Sequence, residues 1–336
     1  MDNCRYRARF LGPGAGLAVL AFAVFLAPRP GRLSKLDNAR SPTDLPVLFE
    51  LCAAIARQIG ARPPVAIVID EQFNVGWRHV GWSRRPVLII GAPLWAVLGP
   101  EERVAVLAHE MGHERNGDAT NSLVIGTAVA TLDRWRDILT PGRQVVASTG
   151  FYALAELLAR LLMHSLCGVV RLTRAVLVGL AHRANPISEY IADRLSAQVA
   201  GADAVISSLK ITSTAPLCMA AVRIAARADG ANLWEAERTT LARLSNEARE
   251  KLLAQSKARG DRVDDTHPAT WRRIEVMNAI SDQSFAASAG DDGDSRDDAL
   301  GRARLASAGA EIDGELAADF ARVARVIKEI EFNRYG

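Results

Sequence analysis

The spacing of apolar positions changes several times along the chain, and each change marks an element. From Leu45 to Ile59 apolar residues recur at helical spacing, with Gly60 as a stop. Val65 to Ile69 is a short β-branched run between Pro63-Pro64 and Asp70, which predicts a strand. Trp77 to Trp82 and Pro86 to Ile90 flank Ser83-Arg84-Arg85 and predict a hairpin. Ala92 to Leu98 reads as a short helix broken by Gly99-Pro100. Pro100-Glu101-Glu102 then opens another, with proline and acids in the first turn where the helix dipole favours them. That helix runs to about Arg115 and ends at Asn116-Gly117. The chain is mainly helical from there to residue 280. Residues 287–299, ASAGDDGDSRDDA, predict a solvated flexible loop, and Glu311 to Phe332 a terminal amphipathic helix. No internal repeat is visible. The expected fold class is mainly α with a small β-sheet (α+β).

Two apolar segments exceed what these elements need. Phe10 to Ala27, FLGPGAGLAVLAFAVFLA, is uncharged and near the shortest length that spans a bilayer. Arg5, Arg7 and Arg9 precede it, and Arg29, Arg32, Lys35 and Arg40 follow it. It reads as a membrane anchor, with a cleaved signal or a buried helix as the alternatives. The basic residues lean toward a cytoplasmic catalytic domain. Phe151 to Ala181 is apolar apart from Glu156, Arg160, His164, Arg171 and Arg174, which fall on one helical stripe. Such a stripe is costly against lipid. The segment is expected either to insert in the membrane or to cover a core as an amphipathic helix.

Composition narrows the classes. The 336 residues carry 41 Lys and Arg against 38 Asp and Glu, a net charge of +3, which leaves no electrostatic footprint for nucleic acid. A 49% hydrophobic content excludes a disordered chain. The mean hydropathy of +0.05 is high for a water-facing enzyme and too low for a chain that is mostly membrane. Cys4, Cys52, Cys167 and Cys218 form no C-x-x-C pair, so neither a thiolate zinc site nor a redox motif is suggested. The last three sit in apolar runs and are expected to be buried.

The helix opened by Pro100 contains His109-Glu110-Met111-Gly112-His113. Positions i and i+4 share one helical face, so both imidazoles can bind one zinc ion at about 2.0–2.1 Å. Glu110 lies beside them, where it can draw a proton from an activated water. Hydrolytic zinc needs a third protein ligand and an open position. Glu114 to Ala119 supplies no further histidine, which excludes the metzincin pattern. Glu189-Tyr190-Ile191-Ala192-Asp193 fits instead. Glu189 could ligate the metal while Asp193, on the same face, holds a ligand histidine by its other nitrogen. Pro186 and Ser188 suggest a helix start just before Glu189.

At these residues the chain resembles the HtpX-like and CAAX-prenyl-protease-like zinc metallopeptidases (metallopeptidase family 48, gluzincin). The resemblance rests on PPVAIVID followed by Asn74, on VLIIGAPLWAVLGPEERVAVLAHEMGHERNGD, on SEYIADRLSA and on THPATWRRI, and covers about residues 45–280. It implies a zincin-type peptidase built on an HExxH helix. One Zn2+ would sit on His109, His113 and Glu189. Glu110 would be general base and then acid, and Asp193 would support a ligand. It also implies that Thr266, His267, Pro268 and Arg273 lie near the cleft, with His267 stabilising the oxyanion or approaching the metal. Val87 to Ile90 is expected to form an active-site edge that takes substrate as an added strand.

The expected division is an anchor and linker over 1–36, a zinc peptidase domain over 37–282 with an apolar helical insert at 120–182, and an acidic loop with a C-terminal helix over 283–336. The implied function is a membrane-associated zinc endopeptidase acting on polypeptide substrates in membrane-protein quality control. It would sit in a lipid bilayer, the cell membrane in a bacterium. The rivals are a chaperone-like or scaffold protein with a structural or silenced zinc site, and a dedicated prenyl-protein processor.

Overall fold

A computed structural model describes residues 36, 38–81, 83–116, 118–140, 151–259, 270–288 and 294–335. The predicted anchor over 10–27 and His267 lie outside them.

The first predicted helix is α1 (Pro46–Ile59), which buries Leu48, Leu51, Cys52, Ile55 and Ile59 on one face. Its free N-terminal amides are met from the far end of the chain, where the Glu315 carboxylate accepts from Val47 N at 2.8 Å and Leu48 N at 3.1 Å. The predicted strands appear as β2 (Ala66–Asp70), β3 (Val75–Val80) and β4 (Arg85–Gly91), joined by a two-residue β1 (Ala39–Arg40). The sheet order is β1-β2-β4-β3. β2 and β4 are parallel and β3 pairs antiparallel with β4, Val80 opposite Arg85, as the hairpin reading expects. β4 is thus paired on both sides, and the expectation that Val87 to Ile90 forms a free edge is corrected. Among the described residues, the free edge on that side is β3. Gly91 lets the chain double back there: a Cβ would collide with the Gln72 carbonyl, and its N–H donates to Asn74 O at 2.7 Å.

Next come α2 (Ala92–Val97) and α3 (Pro100–Arg115). Glu101 and Glu102 occupy the first turn of α3, and Leu107, Ala108 and Met111 are fully buried. They are followed by α4 (Asp118–Leu139) and α5 (Phe151–Ala200). Three shorter helices, α6 (Ala202–Thr212), α7 (Ala215–Ala226) and α8 (Leu233–Ala242), precede α9 (Asn246–Arg259), α10 (Thr270–Ser288) and α11 (Asp294–Tyr335). One main core joins α1, the sheet, α2, α3, α7, α8 and α11 around Trp95, Leu107 and Met111.

Two expectations about helix ends are corrected. The loop expected over 287–299 is helical again from Asp294, and α11 puts Ile312, Leu316, Val323 and Ile327 into the main core. Its Asp319 is also held at 2.7 Å by Arg40. Pro186 does not start a helix, because α5 runs through it. The lost amide at Pro186 breaks one helical bond, but Ala192, Leu195 and Val199 beyond it are buried and hold the helix in register.

The chain divides into two compact units: one holds residues 124–180, the other the described residues before 124 and after 180. In the first, Cys167 and Val170 are buried and Arg174 of the polar stripe pairs with Asp133 at 2.9 Å. Leu158, Leu161, Leu162, Val169 and Leu172 are exposed. Within α5, Leu157–Gly179 is long and apolar enough to cross a membrane, and only 11% of its most apolar window is buried. Among the described cysteines, Cys52, Cys167 and Cys218 are free and buried, as expected.

Candidate metal centre

The second unit contains the predicted zinc residues. On α3, His109 and His113 stand one turn apart with Nε2 atoms 3.2 Å from each other. Glu189 of α5 completes a triangle, with Oε2 at 3.4 Å from His109 Nε2 and Oε1 at 3.3 Å from His113 Nε2. These separations match the edges of a tetrahedron around an ion bound at about 2.0–2.1 Å, roughly 3.3–3.4 Å. The donor set therefore fits a divalent metal, and among the described residues it offers three donor groups to one.

The helix pairing behind this triangle comes from small residues. A Cβ on Gly112 would meet the Ala192 Cα at 3.0 Å, so α3 and α5 touch backbone to backbone there. Ser196 Oγ donates to Ala105 O at 2.6 Å further along the same contact. The two helices run antiparallel through it, which puts Asp193 beside His109 and Glu189 beside His113.

Both imidazole rings also have a partner at their other nitrogen. His109 Nδ1 donates to Asp193 Oδ1 at 2.9 Å, which turns the Nε2 lone pair toward the triangle. Ser188 Oγ lies 3.3 Å from His113 Nδ1, within hydrogen-bond reach of that nitrogen. Arg273 of α10 grips Asp193 through Nε at 2.8 Å and Nη2 at 2.6 Å, and its Nη1 lies 3.2 Å from Glu189 Oε2. Burial opposes the Asp193 charge, but the Arg273 and His109 hydrogen bonds outweigh it and hold the carboxyl down to about 2. Burial and the Arg273 charge oppose a charged His109 ring, yet its bonds to Asp193 and Glu189 raise its pKa. A metal at Nε2 would displace that proton. The carboxylates of Glu110, Glu189 and Asp193 outnumber Arg273, so the centre keeps the negative charge a cation needs.

The pattern of residue types did not reveal Glu114. It follows His113 on α3, points away from the triangle and is buried. Its carboxylate accepts from Arg62 Nε at 2.5 Å and Trp77 Nε1 at 3.0 Å, and pairs with His79 Nε2 at 2.8 Å. The alternation of Trp77 and His79 on β3 was the available signal, since it puts both on one face. β3, at the edge of the sheet among the described residues, is thereby tied to the helix that carries His109 and His113. A cleft of about 1120 Å3, lined by Leu98, Leu233, Trp234 and Phe320 among others, contains none of these groups.

Residues 52–281 match the model of Peptidase family M48. Protease HtpX homolog 1 of Sulfurisphaera tokodaii is 28% identical over 92 residues, covering 27% of this chain and 30% of that protein. Protease HtpX of Chromohalobacter salexigens is 30% identical over 117 residues, covering 34% of this chain and 38% of that protein. Protease HtpX of Shewanella piezotolerans is 28% identical over 211 residues, covering 60% of this chain and 70% of that protein. The chain thus spans about a third of the length of the first two relatives. No solved structure matches it.

Proposed function

The chain belongs to peptidase family M48, and from that premise we propose that it is a zinc-dependent endopeptidase working at a membrane. The observation that carries this is the donor triangle of His109, His113 and Glu189, with Glu110 beside it. Zinc held there would supply Lewis-acid polarisation of the scissile carbonyl and of water. Glu110 takes the proton of the attacking water and returns it to the leaving amine. Asp193 keeps His109 in the ligating tautomer, and Arg273 keeps Asp193 charged and in place. His267, outside the described residues, would by resemblance stabilise the oxyanion or approach the metal.

The substrate would lie as an added strand along β3, whose outer edge is free among the described residues and which begins next to Asn74, on the lining of a cavity that Glu110 also borders. The exposed apolar residues of Leu157–Gly179 support contact with a lipid bilayer. In a bacterium that bilayer would be the cell membrane, and quality control of membrane proteins the natural task.

The test is metal content and proteolysis of the purified full chain. Atomic absorption should find one zinc per chain in the wild type and none in His113→Ala. Casein cleavage should stop with a chelator and return with added zinc. Cleavage that persists in metal-free His113→Ala would overturn the reading.

A further inference from the structure

The cleft of about 1120 Å3 is bordered by α8, α11 and the turn from α2 to α3, and shares no residue with the metal centre. On its α11 wall, Ala317, Ala321, Ala324 and Lys328 recur at i, i+4, i+7 and i+11 and so share one face. Ala317 and Ala321 are exposed, which leaves the groove open along that face. The rest of the lining includes buried Trp234 and Leu241 of α8 and buried Leu98, with the Trp234 and Phe320 rings in contact at 5.4 Å. Alanines beside these large side chains leave an apolar trough without packing partners on its open side.

The α11 stripe ends on a cation. Lys328 Nζ donates to Ala231 O at 3.3 Å, which puts the ammonium next to Asn232, the cap of α8. The positive end of the α8 dipole lies there too, so two positive groups adjoin. Among the described residues Lys328 has no carboxylate partner. The acids nearby are engaged: Asp313 with Arg103 at 2.9 Å, Glu235 with Arg238 at 3.2 Å and Glu331 with Arg227 at 2.8 Å. Arg249, also on the lining, donates through Nη2 to Leu241 O at 2.7 Å, where the negative end of the α8 dipole balances it. Half-buried Lys328 is the charge that an anion from outside would complement.

From Ala317 to Lys328 the stripe runs about 16 Å at 1.5 Å per residue. One acyl chain covers half of a bilayer core about 30 Å thick, or about 15 Å. We propose that the cleft binds one long-chain fatty acid. Its carboxylate sits at Lys328 and the start of α8, and its hydrocarbon runs along Ala324, Ala321 and Ala317 beside Trp234 and Phe320. One ammonium balances a single negative charge, which suits a carboxylate better than a phosphate. A single apolar stripe suits one chain better than the two of a diacyl lipid. The site stands apart from the metal centre, so it does not depend on the peptidase reading.

The experiment is photolabelling of the full chain, purified in a neutral detergent, with a palmitate analogue carrying a mid-chain diazirine. Labelled peptides are mapped by mass spectrometry. Label should fall on residues 317–324 or on Trp234. The exposed apolar face of Leu157–Gly179 is the reference for non-specific uptake. Palmitate should compete for the cleft at least about tenfold better than hexadecanol, whose neutral head loses the charge-assisted bond. Lys328→Glu should weaken cleft labelling about tenfold or more, and Lys328→Arg should keep it. Ala321→Trp fills the trough from an exposed position and should abolish it, with circular dichroism confirming the fold. Equal competition by hexadecanol, or labelling unchanged in folded Ala321→Trp, would overturn the site. An unlabelled cleft would overturn it too and leave the groove to a peptide or a second copy of the chain. Better competition by lysophosphatidate than by palmitate would overturn the carboxylate assignment.

Discussion

Gly112 and Ala192 set the distance between the two helices of the metal centre: a Cβ on Gly112 would stand 3.0 Å from the Ala192 Cα. That contact lets Glu189 come within 3.3 Å of His113. Gly112→Val should wedge α3 from α5 and cost about 1–3 kcal/mol of stability, as overpacking does. Zinc affinity, measured by competition with a chromophoric chelator, should fall with it, and Gly112→Ala should be milder in both. Unchanged zinc affinity in Gly112→Val would show that the close approach does not position Glu189.

Asp193 holds the proton of His109 on Nδ1. Asp193→Asn keeps the shape but can offer an N–H instead, which favours the tautomer with its proton on Nε2, the ligating atom. Zinc affinity should fall about 10- to 100-fold while the fold survives. Zinc titration with a circular dichroism spectrum alongside checks this, and wild-type affinity would contradict it.

The HExxH helix was legible because its signals are local. Proline and acids open α3, and His109 and His113 share a face by spacing alone. The chain leaves Glu189 to be inferred from chemistry, and its surroundings misled where distant packing overrode a local cue. Pro186 reads as a helix start, yet buried Ala192, Leu195 and Val199 carry α5 through it. The strands were legible but their order was not. The apolar run of β4 looks alike whether central or at an edge, and only its parallel partner β2 makes it central. Glu114 was invisible for the same reason, because Arg62, Trp77 and His79 are brought to it by the fold.

Glu114→Gln should loosen β3 from the ligand helix. The substitution weakens the hydrogen bonds that half-exposed Arg62, Trp77 and the buried His79 ring make to this side chain, a loss of about 1–3 kcal/mol. The melting temperature should drop. If β3 receives the substrate, KM should rise more than kcat falls among molecules that remain folded. Steady-state kinetics at a temperature where both proteins are folded decides it, and an unchanged KM would detach β3 from substrate binding.

Glu237 is fully buried on α8, and neither carboxylate oxygen has a hydrogen-bond partner among the described residues. Burial pushes its pKa from 4.5 up to about 8. The folded protein therefore keeps the proton that the unfolded chain releases across this window. Stability should fall as pH rises from about 4.5 to about 8, by up to about 1.4 kcal/mol per unit from this group, and level off above. Glu237→Gln cannot ionise and should flatten that slope. Urea midpoints at acid, neutral and alkaline pH test it, and parallel profiles for the two proteins would contradict it.

The most direct test of proton transfer by Glu110 beside a metal on His109, His113 and Glu189 is Glu110→Gln, assayed together for zinc content and casein cleavage. The variant should retain one zinc per chain and lose at least about a hundredfold in cleavage rate, because the ligands are intact and the base is gone. Zinc-loaded Glu110→Gln that cleaves at the wild-type rate would contradict the mechanism.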